Sequence, residues 1–407
     1  MTSREISTPP ATPRTTPPAT CSPPVPLRSG IATDWMLDPA ITFLNHGCFG
    51  ARPRVVVEAR ERWLRRYNAR PIELLDRNRN ELLTEAKRPV GELLGMKPEN
   101  FGFVTNATEG VNAVLRSLSF RPGDELLTPS HVYNAVRNTM RHLIERAGGT
   151  YVEAPTPFPV TSPDELVNVI AEALNDRTRL VLIDHIASPT GVLFPVERII
   201  TLCREKGVDV FIDGAHAPGM IALDVESLGA AYYTGNLHKW ICAPSGAAFL
   251  WVSPEKQRGI HPPTISHFLD EGLAAEFAWQ GTRDITPWLC VKDAIDYLAA
   301  LGWEDVLRHN HQMAMWVQQL LSEKWGVGPS TPLDGSMIGS LVSFPFPGDV
   351  SRFDDPVQLH DYLYDEHHIE IPIFDFGGQW LIRTSSQVYN TPDQYERLGQ
   401  VVLDLMK

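Results

Sequence analysis

Cysteine is scarce in this sequence and does not occur in pairs. Five of the 407 residues are cysteines, at positions 21, 48, 203, 242 and 290, and none lies in a Cys-x-x-Cys motif. This spacing excludes a disulfide framework and a zinc knuckle, so we predict no metal site. Scattered, unpaired thiols are typical of a reducing compartment, and we expect a cytoplasmic protein.

Long hydrophobic runs and an excess of positive charge are also missing. No apolar run approaches the roughly 20 residues that cross a bilayer, so we expect a soluble protein without a membrane partner. Lysine and arginine total 36, against 49 aspartates and glutamates, which gives a net charge of -13. Since no basic stripe stands out either, the charge argues against a nucleic-acid partner.

The length of the chain favours roughly two to three domains. Residues 1–30 are rich in proline, threonine and serine, and we predict a disordered tail there. Residues 31–285 should form an N-terminal segment and a large domain. Residues 286–407 should form a smaller α+β domain, because strand patterns near 337–344, 369–374 and 380–384 are followed by a helical one.

Short apolar runs alternate with helical patterns through the large domain. Strands are predicted at 101–104, 124–129, 150–154, 179–186, 208–213 and 247–252, and helices at 107–118, 133–147, 163–174 and 196–206. This rhythm predicts an α/β fold with a mostly parallel sheet, whose sites lie at the carboxyl ends of the strands. Before it, residues 53–95 have a helical pattern that Pro89 should kink or split.

The stretch "VTNATEGVN" (104–112) joins a predicted strand to a predicted helix. Backbone N–H groups at such a helix start can cradle a phosphate, and Thr108 can add a hydroxyl. Alternatively, Asn106 or Thr108 simply caps the helix. Taken alone, this motif favours the cap.

Asp213 and Lys239 are spaced as two anchors for one ring. Asp213 closes a buried strand in "VFIDGAHAPG", and Lys239 lies after the next strand in "TGNLHKWICAPSG". A buried carboxylate needs a partner such as a protonated pyridine nitrogen, and a desolvated lysine can form an imine with an aldehyde. The pair indicates pyridoxal 5'-phosphate chemistry. Arg383, in "LIRTSSQVYNTPDQ", could hold a substrate carboxylate or form an ordinary ion pair.

In this order along the chain, these motifs resemble the class V aminotransferase family, which includes the cysteine desulfurases. The likeness is carried by "FLNHGCFGARP", "TNATEGVN", "DHIASPTG", "DGAHAPG", "GNLHKW" and "IRTSSQVYNT", and the isopenicillin N epimerase-like members are the most similar branch. The resemblance implies a transferase-like fold of the aspartate aminotransferase type and pyridoxal 5'-phosphate as the cofactor.

The resemblance also assigns roles to individual residues. Lys239 would form the Schiff base, Asp213 would face the pyridinium nitrogen, and Arg383 would bind the substrate carboxylate, with Asn45 as a second substrate contact. The remaining cofactor contacts would be Ala107, Thr108, Asn236 and His238 at the phosphate, and Tyr133, His216 and Ser188 at the ring. Thr282, in "QGTRD", would reach the phosphate of a neighbouring subunit, which implies a homodimer with shared sites.

The implied activity is chemistry at the Cα of an amino-acid substrate, with epimerisation as the leading hypothesis. Lys239 would carry the proton, and Tyr133 or His46 would be the second acid. The alternative is a C–S lyase that acts on a cysteine derivative or its sulfoxide. A third possibility, a binding protein that has lost catalysis, is disfavoured by the retained Lys239, Asp213 and Arg383.

The segment "DEHHIEIPIFDFGGQW" (365–380) lacks the reactive cysteine that desulfurases carry shortly before the carboxylate arginine. We therefore predict that no cysteine acts as the nucleophile of a sulfur transfer. Trp240 and Cys242, beside Lys239, are interpreted as packing residues.

Overall fold

The computed structural model describes residues 22–407. Residues 1–21, most of the predicted disordered tail, lie outside this range. Residues 22–30 form bends and a turn without helix or strand. Leu27 nevertheless packs against a buried cluster that includes Ile31 and Trp35, so this part of the predicted tail contributes to the folded structure.

Strands and helices alternate through the first two thirds of the described chain. The strands are β1 (Thr42–Phe43), β2 (Phe101–Val104), β3 (Glu125–Pro129), β4 (Thr150–Ala154), β5 (Thr178–Asp184), β6 (Asp209–Asp213), β7 (Tyr232–Asn236), β8 (Ala248–Val252), β9 (Leu341–Pro345), β10 (Ile369–Glu370), β11 (Ile373–Phe376) and β12 (Gln379–Ser385). The α-helices are α1 (His46–Phe49), α2 (Arg54–Ala69), α3 (Arg79–Leu94), α4 (Ala107–Ser117), α5 (Asn134–Arg146), α6 (Pro163–Ala173), α7 (Val196–Glu205), α8 (Val225–Leu228), α9 (Leu273–Ala278), α10 (Thr286–Leu289), α11 (Val291–Ala300), α12 (Trp303–Trp325), α13 (Pro356–His367) and α14 (Pro392–Leu405).

A seven-stranded sheet forms the centre of the large domain. Its strand order is β2-β8-β7-β6-β5-β3-β4, and β8 alone runs antiparallel to its neighbours. Two buried apolar clusters, one containing Ile183 and Ile212 and the other Leu182 and Phe211, hold side chains that alternate along β5 and β6. Burial on both faces requires helices on both sides, as in other parallel sheets. The predicted α/β fold is confirmed.

Helix α3 runs unbroken through Pro89, so the predicted split at this proline is wrong. Leu83, Val90 and Leu94 are buried on both sides of Pro89 and hold the helix against the core. Glu85, whose carbonyl loses its helical partner, lies on the exposed face. The helical stretch is interrupted earlier, by a π-helical turn at Glu73–Arg77.

The smaller sheet near the C-terminus is antiparallel, with the order β11-β12-β9. The N-terminal segment joins this part of the chain, because β1 pairs in parallel with β10. Leu44 is correspondingly buried in a cluster with Phe344 and Ile382. The domain boundary at residue 285 stays a prediction, but the strand pairing places residues 42–44 with the C-terminal part. Within residues 22–407, no helix is both long and apolar enough to cross a membrane.

Candidate active site

Three neighbouring strands of the large sheet end in polar residues at the same edge. Asp184 ends β5 and lies in register with Asp213, which ends β6. Asn236 ends β7, and its Oδ1 accepts a hydrogen bond from the backbone N–H of Ala107 at 2.9 Å. This bond brings the start of α4 to the strand ends, where the sequence predicted the site.

Helix α4 rests directly on β7 because Gly110 has no side chain. A Cβ at Gly110 would lie 2.3 Å from Oγ1 of Thr234, a separation that real Cβ atoms do not show. At the start of the helix, the side chain of Asn106 accepts a hydrogen bond from the backbone N–H of Glu109 at 2.9 Å. Asn106 is therefore the cap, while Ala107 and Thr108 form the first turn that the sequence assigned to the phosphate.

Lys239 follows β7 and is half-buried beside a histidine. Its Nζ lies 3.1 Å from Nε2 of His216, and Nδ1 of that ring accepts a hydrogen bond from Nε1 of Trp240 at 3.4 Å. Because an indole N–H is a donor only, the neutral His216 ring carries its proton on Nε2. Nζ can accept that proton in a hydrogen bond only as an unprotonated amine. Trp240, interpreted as a packing residue, therefore orients the partner of the lysine.

The electrostatics of the site shift Lys239 in the same direction, toward the neutral amine. Burial, followed by the positive charge of Arg383, lowers the pKa of Lys239 to about 8. An amine near this pKa is a usable nucleophile and base close to neutral pH.

Asp213 is a buried carboxylate that forms no ion pair with a described residue. It is 3% exposed, and Oδ1 accepts the backbone N–H of Ala215 at 2.9 Å. Burial raises its pKa to about 6. A cationic ring nitrogen would stabilise the ionised form. The buried carboxylate, the half-buried amine and the turn at Ala107 and Thr108 thus fit the ends of pyridoxal 5'-phosphate.

Arg383 lies within β12 and is only 1% exposed. Its Nη1 donates to the backbone oxygen and to Oγ of Ser188, its Nη2 donates to Sγ of Cys48 at 3.3 Å, and the ring of Phe374 lies 4.9 Å away. Its Nε has no hydrogen-bond partner among the described residues. The guanidinium is thus a buried cation without an anion within residues 22–407, and a carboxylate placed beside it would offset its charge, which fits the predicted carboxylate contact. Ser188, predicted at the cofactor ring, here holds the arginine.

His46 is fully buried and uses both ring nitrogens. Its Nδ1 lies 2.9 Å from the hydroxyl of Tyr389, and its Nε2 lies 3.1 Å from the backbone oxygen of Lys239. Burial lowers its pKa to about 3, so the ring is neutral. These contacts favour a role in holding the Lys239 turn in place. The predicted role as second acid is more compatible with Tyr133, which is 46% exposed.

The remaining predicted residues lie around this centre. His238 is half-buried, and its Nδ1 donates to the backbone oxygen of Ala247 at 3.0 Å, so its Nε2 can donate to a phosphate only when the ring is protonated. Asn45 donates to Glu370 at 2.7 Å and lines a cavity of about 620 Å³. Thr282 is exposed. The assignment of each of these residues to cofactor or substrate stays a prediction.

Sequence reasoning missed two residues of this site. Cys48 contacts Arg383, although it precedes that residue by 335 positions. Asp184 lies beside Asp213, and its Oδ1 is buried without a hydrogen-bond partner. Burial and the neighbouring Asp213 raise its pKa well above the usual range. Asp184 and Cys48 lie inside motifs quoted for the family resemblance, so their positions were a signal that could have been used.

The sequence profile of the family Aminotransferase class-V matches residues 48–371. The chain belongs to the class V aminotransferase family. This membership confirms the predicted fold and the cofactor, pyridoxal 5'-phosphate, and shows that the chain is an enzyme. Among the described residues, no group of three or more histidine, cysteine, aspartate or glutamate side chains could hold a metal ion.

Individual relatives in this family carry different names. The chain is 32% identical over 402 residues to isopenicillin N epimerase from Amycolatopsis lactamdurans, an alignment that covers 93% of this chain and 100% of the epimerase. It is equally identical, at 32% over 400 residues, to an L-cysteine desulfhydrase from Arabidopsis thaliana, with 89% and 87% of the two chains covered. An apo cysteine desulfurase from Thermococcus onnurineus NA1 has the same fold, with a TM-score of 0.78, 20% identity and coverage of 95% and 99%.

Five buried or half-buried histidines surround the strand ends, and all have a lowered pKa. They are His46, His131, His185, His216 and His238, and burial is the largest cause in each case. His131 contacts neither Lys239 nor Arg383. Its Nε2 donates to the backbone oxygen of Pro157 at 3.1 Å, and its Nδ1 lies 3.0 Å from Oγ1 of Thr190.

We expect a His131→Gln variant to lose less stability than the wild type on acidification. Burial lowers the pKa of His131 from 6.5 to about 4, so at intermediate pH the unfolded chain binds a proton that the folded chain does not. The stability that the neutral ring contributes is present above pH 6.5 and is lost as the pH falls toward 4. Between about pH 7 and about pH 5 this loss is about 2 kcal/mol.

Urea unfolding of the apo forms at the two pH values measures this difference. The raised pKa of Asp213 changes the stability in the opposite direction as the pH falls. Because Asp213 is present in both proteins, its contribution cancels in the comparison. If the wild type and the variant lose the same free energy of unfolding, the His131 ring is not held neutral.

Proposed function

We propose that this enzyme removes and returns the Cα proton of an amino acid or amino-acid-containing substrate, as an epimerase similar to isopenicillin N epimerase. The observation that carries the proposal is a lysine with a lowered pKa in the same site as a buried guanidinium, Arg383, that has an unpaired donor. The lysine supplies a base. The guanidinium supplies a fixed point for an α-carboxylate.

Pyridoxal 5'-phosphate, when bound, supplies an electron sink for the charge that develops when the Cα proton leaves. Asp213 would keep the ring nitrogen protonated. Lys239 would anchor the cofactor and carry the proton, with His216 donating to it. Ala107, Thr108, Asn236 and His238 would surround the phosphate.

Epimerisation needs a second group that returns the proton on the opposite face. Tyr133 is our candidate, because it precedes α5 at the site and its side chain remains accessible. His46 is buried and already engaged at both ring nitrogens, which disfavours it.

C–S bond cleavage is the second candidate activity. It is supported by three relatives at 32–33% identity, of which one is named L-cysteine desulfhydrase and two are named putative L-cysteine desulfhydrases. Such a reaction uses the same Cα deprotonation, after which a good leaving group departs from Cβ. The substrate side chain then decides the outcome as much as the enzyme does.

A panel of amino acids and cysteine conjugates in deuterium oxide tests the proposal. We expect deuterium at Cα with inversion for an epimerase substrate, measured by mass spectrometry and chiral chromatography. Pyruvate release without inversion would instead support the lyase. Absence of Cα exchange with every member of the panel, in protein that carries its cofactor, would contradict both.

We also propose that the active unit is a homodimer with shared sites. Thr282 supports this proposal because its side chain is exposed in the single chain. From the surface, it could reach the cofactor of a neighbouring subunit. We predict a dimer in sedimentation of the cofactor-loaded protein. A Thr282→Ala change should weaken cofactor binding about fivefold, the effect of one lost hydrogen bond, whereas Thr282→Ser should not. A fully active monomer would overturn this prediction.

We propose that the binding partner is a small amino-acid substrate and that the enzyme binds neither nucleic acid nor a membrane. The cytoplasmic location expected from the scattered cysteines stays a prediction.

A further inference from the structure

The short helix that carries Cys48 is fixed between Lys239 and Arg383. A Cβ at Gly50 would lie 2.2 Å from the backbone oxygen of His238 and 2.9 Å from that of Lys239, so this end of the turn touches the lysine loop. At the other end, the backbone N–H of Gly47 donates to Oγ of Ser385 at 3.0 Å. The position of Cys48 is thus set by contacts on both sides.

The guanidinium of Arg383 has a hydrogen-bond donor that no described residue accepts. Nη2 of Arg383 donates to Sγ of Cys48 at 3.3 Å, while the buried Nε has no partner. No aspartate or glutamate forms an ion pair with this guanidinium among the described residues. A buried cation without an anion is costly, and a carboxylate ligand removes the cost.

Cys48 also differs from the other described cysteines in accessibility. It is partly exposed, whereas Cys203, Cys242 and Cys290 are buried. A reagent that reaches the Arg383 site therefore meets the Cys48 thiol and no other thiol of the described chain.

We propose that Cys48 is a thiolation site for amino-acid disulfides, which Arg383 selects by their carboxylate. This inference rests on the proposed role of Arg383 as the carboxylate-binding residue. The resulting adduct occupies the space beside Arg383 and blocks substrate, so the enzyme is inhibited by an oxidised amino-acid thiol and restored by a reduced one.

The chemistry is thiol–disulfide exchange and needs no separate oxidant. Cys48, as its thiolate, attacks one sulfur of the disulfide. The new S–S bond forms as the old one breaks, and the other half leaves as a thiolate that takes up the proton released by Cys48. A free thiol reverses the exchange by the same route.

Cystine and cystine dimethyl ester are the matched probes, because they share the disulfide and the amino groups and differ in the carboxylates. Both are added to cofactor-loaded enzyme in which Cys21, outside the described residues, is replaced by serine. Borohydride-reduced enzyme is treated in parallel, since it cannot turn cystine over. Peptide mapping by mass spectrometry then distinguishes a cysteinyl adduct from a persulfide.

We expect cystine to modify Cys48 at least about tenfold faster than the ester, the preference that one charge-assisted contact supplies. Arg383→Ala should reduce that preference to near one, and Arg383→Lys should retain part of it. Dithiothreitol should restore the activity that cystine removes. In the Cys48→Ser variant, cystine should cause no further loss, whatever the starting activity.

Equal rates with the two probes, or an adduct on a cysteine other than Cys48, would overturn the inference. Because the ester comparison uses the wild-type Arg383, this result does not depend on the folding of a variant. Cα-proton exchange is measured separately on untreated enzyme. Its absence alongside a cystine-selective Cys48 would reject the proposed function and leave the thiolation site standing.

Discussion

The Lys239→Ala variant should lose Cα-proton exchange by about a thousandfold or more while keeping its fold. The change removes both the covalent anchor of the cofactor and the base. The loss should be in kcat, since Arg383 still binds the substrate carboxylate. Cα exchange in deuterium oxide measures the rate, and circular dichroism checks the fold.

Lys292→Ala is the matched control, because Lys292 is exposed and, among residues 22–407, forms an ion pair only with Asp296 on its own helix. It should leave activity unchanged. Borohydride reduction of the wild type, followed by peptide mapping, should place the cofactor on Lys239. A cofactor label on another lysine, or a Lys239→Ala protein with ordinary turnover, would refute the assignment.

The Arg383→Ala variant should raise KM about 30- to 150-fold and leave cofactor affinity nearly unchanged. The lost charge-assisted contact with a carboxylate contributes about 2–3 kcal/mol, which corresponds to this factor. The guanidinium contacts Ser188, Cys48 and the Phe374 ring, and of these only Ser188 is a predicted cofactor contact, at the ring and not at the phosphate. Initial rates give KM, and the visible absorbance of the cofactor gives its affinity.

The Arg383→Lys variant distinguishes the contribution of the positive charge from that of the planar guanidinium geometry. It retains a cation but not the planar fork, so its KM should lie between those of the wild type and the alanine variant. Loss of cofactor with intact substrate binding in Arg383→Ala would show that the arginine serves the cofactor instead.

Much of the fold could be predicted because its signals are local. The strands around Ile183 and Ile212 are short apolar runs, and alternation with helical patterns is enough to predict a parallel sheet. The split expected at Pro89 does not occur, because the cost of a proline in a helix is an intrinsic preference that packing of Leu83 and Val90 against the core outweighs.

The candidate site was predicted only in part. Asp213 and Lys239 follow consecutive strands, so their placement at one sheet edge follows from chain order. The orientation of a side chain does not follow from chain order, because it depends on contacts with residues that are distant in the sequence. His46, a candidate acid by sequence, is bonded to Tyr389 and the Lys239 backbone in the folded chain, and Trp240 orients the partner of Lys239 through His216.

The family, the cofactor and the α/β architecture followed from the sequence alone, whereas the assignment of Lys239 and Asp213 to the cofactor stays a prediction. These depend on motifs and periodicities that lie within short stretches of chain. The contact between Cys48 and Arg383, by contrast, is apparent only in the folded chain. That contact exists because β1 pairs with β10 and brings an N-terminal turn onto a C-terminal sheet. Such a pairing joins residues more than 300 positions apart, and no local sequence pattern predicts it.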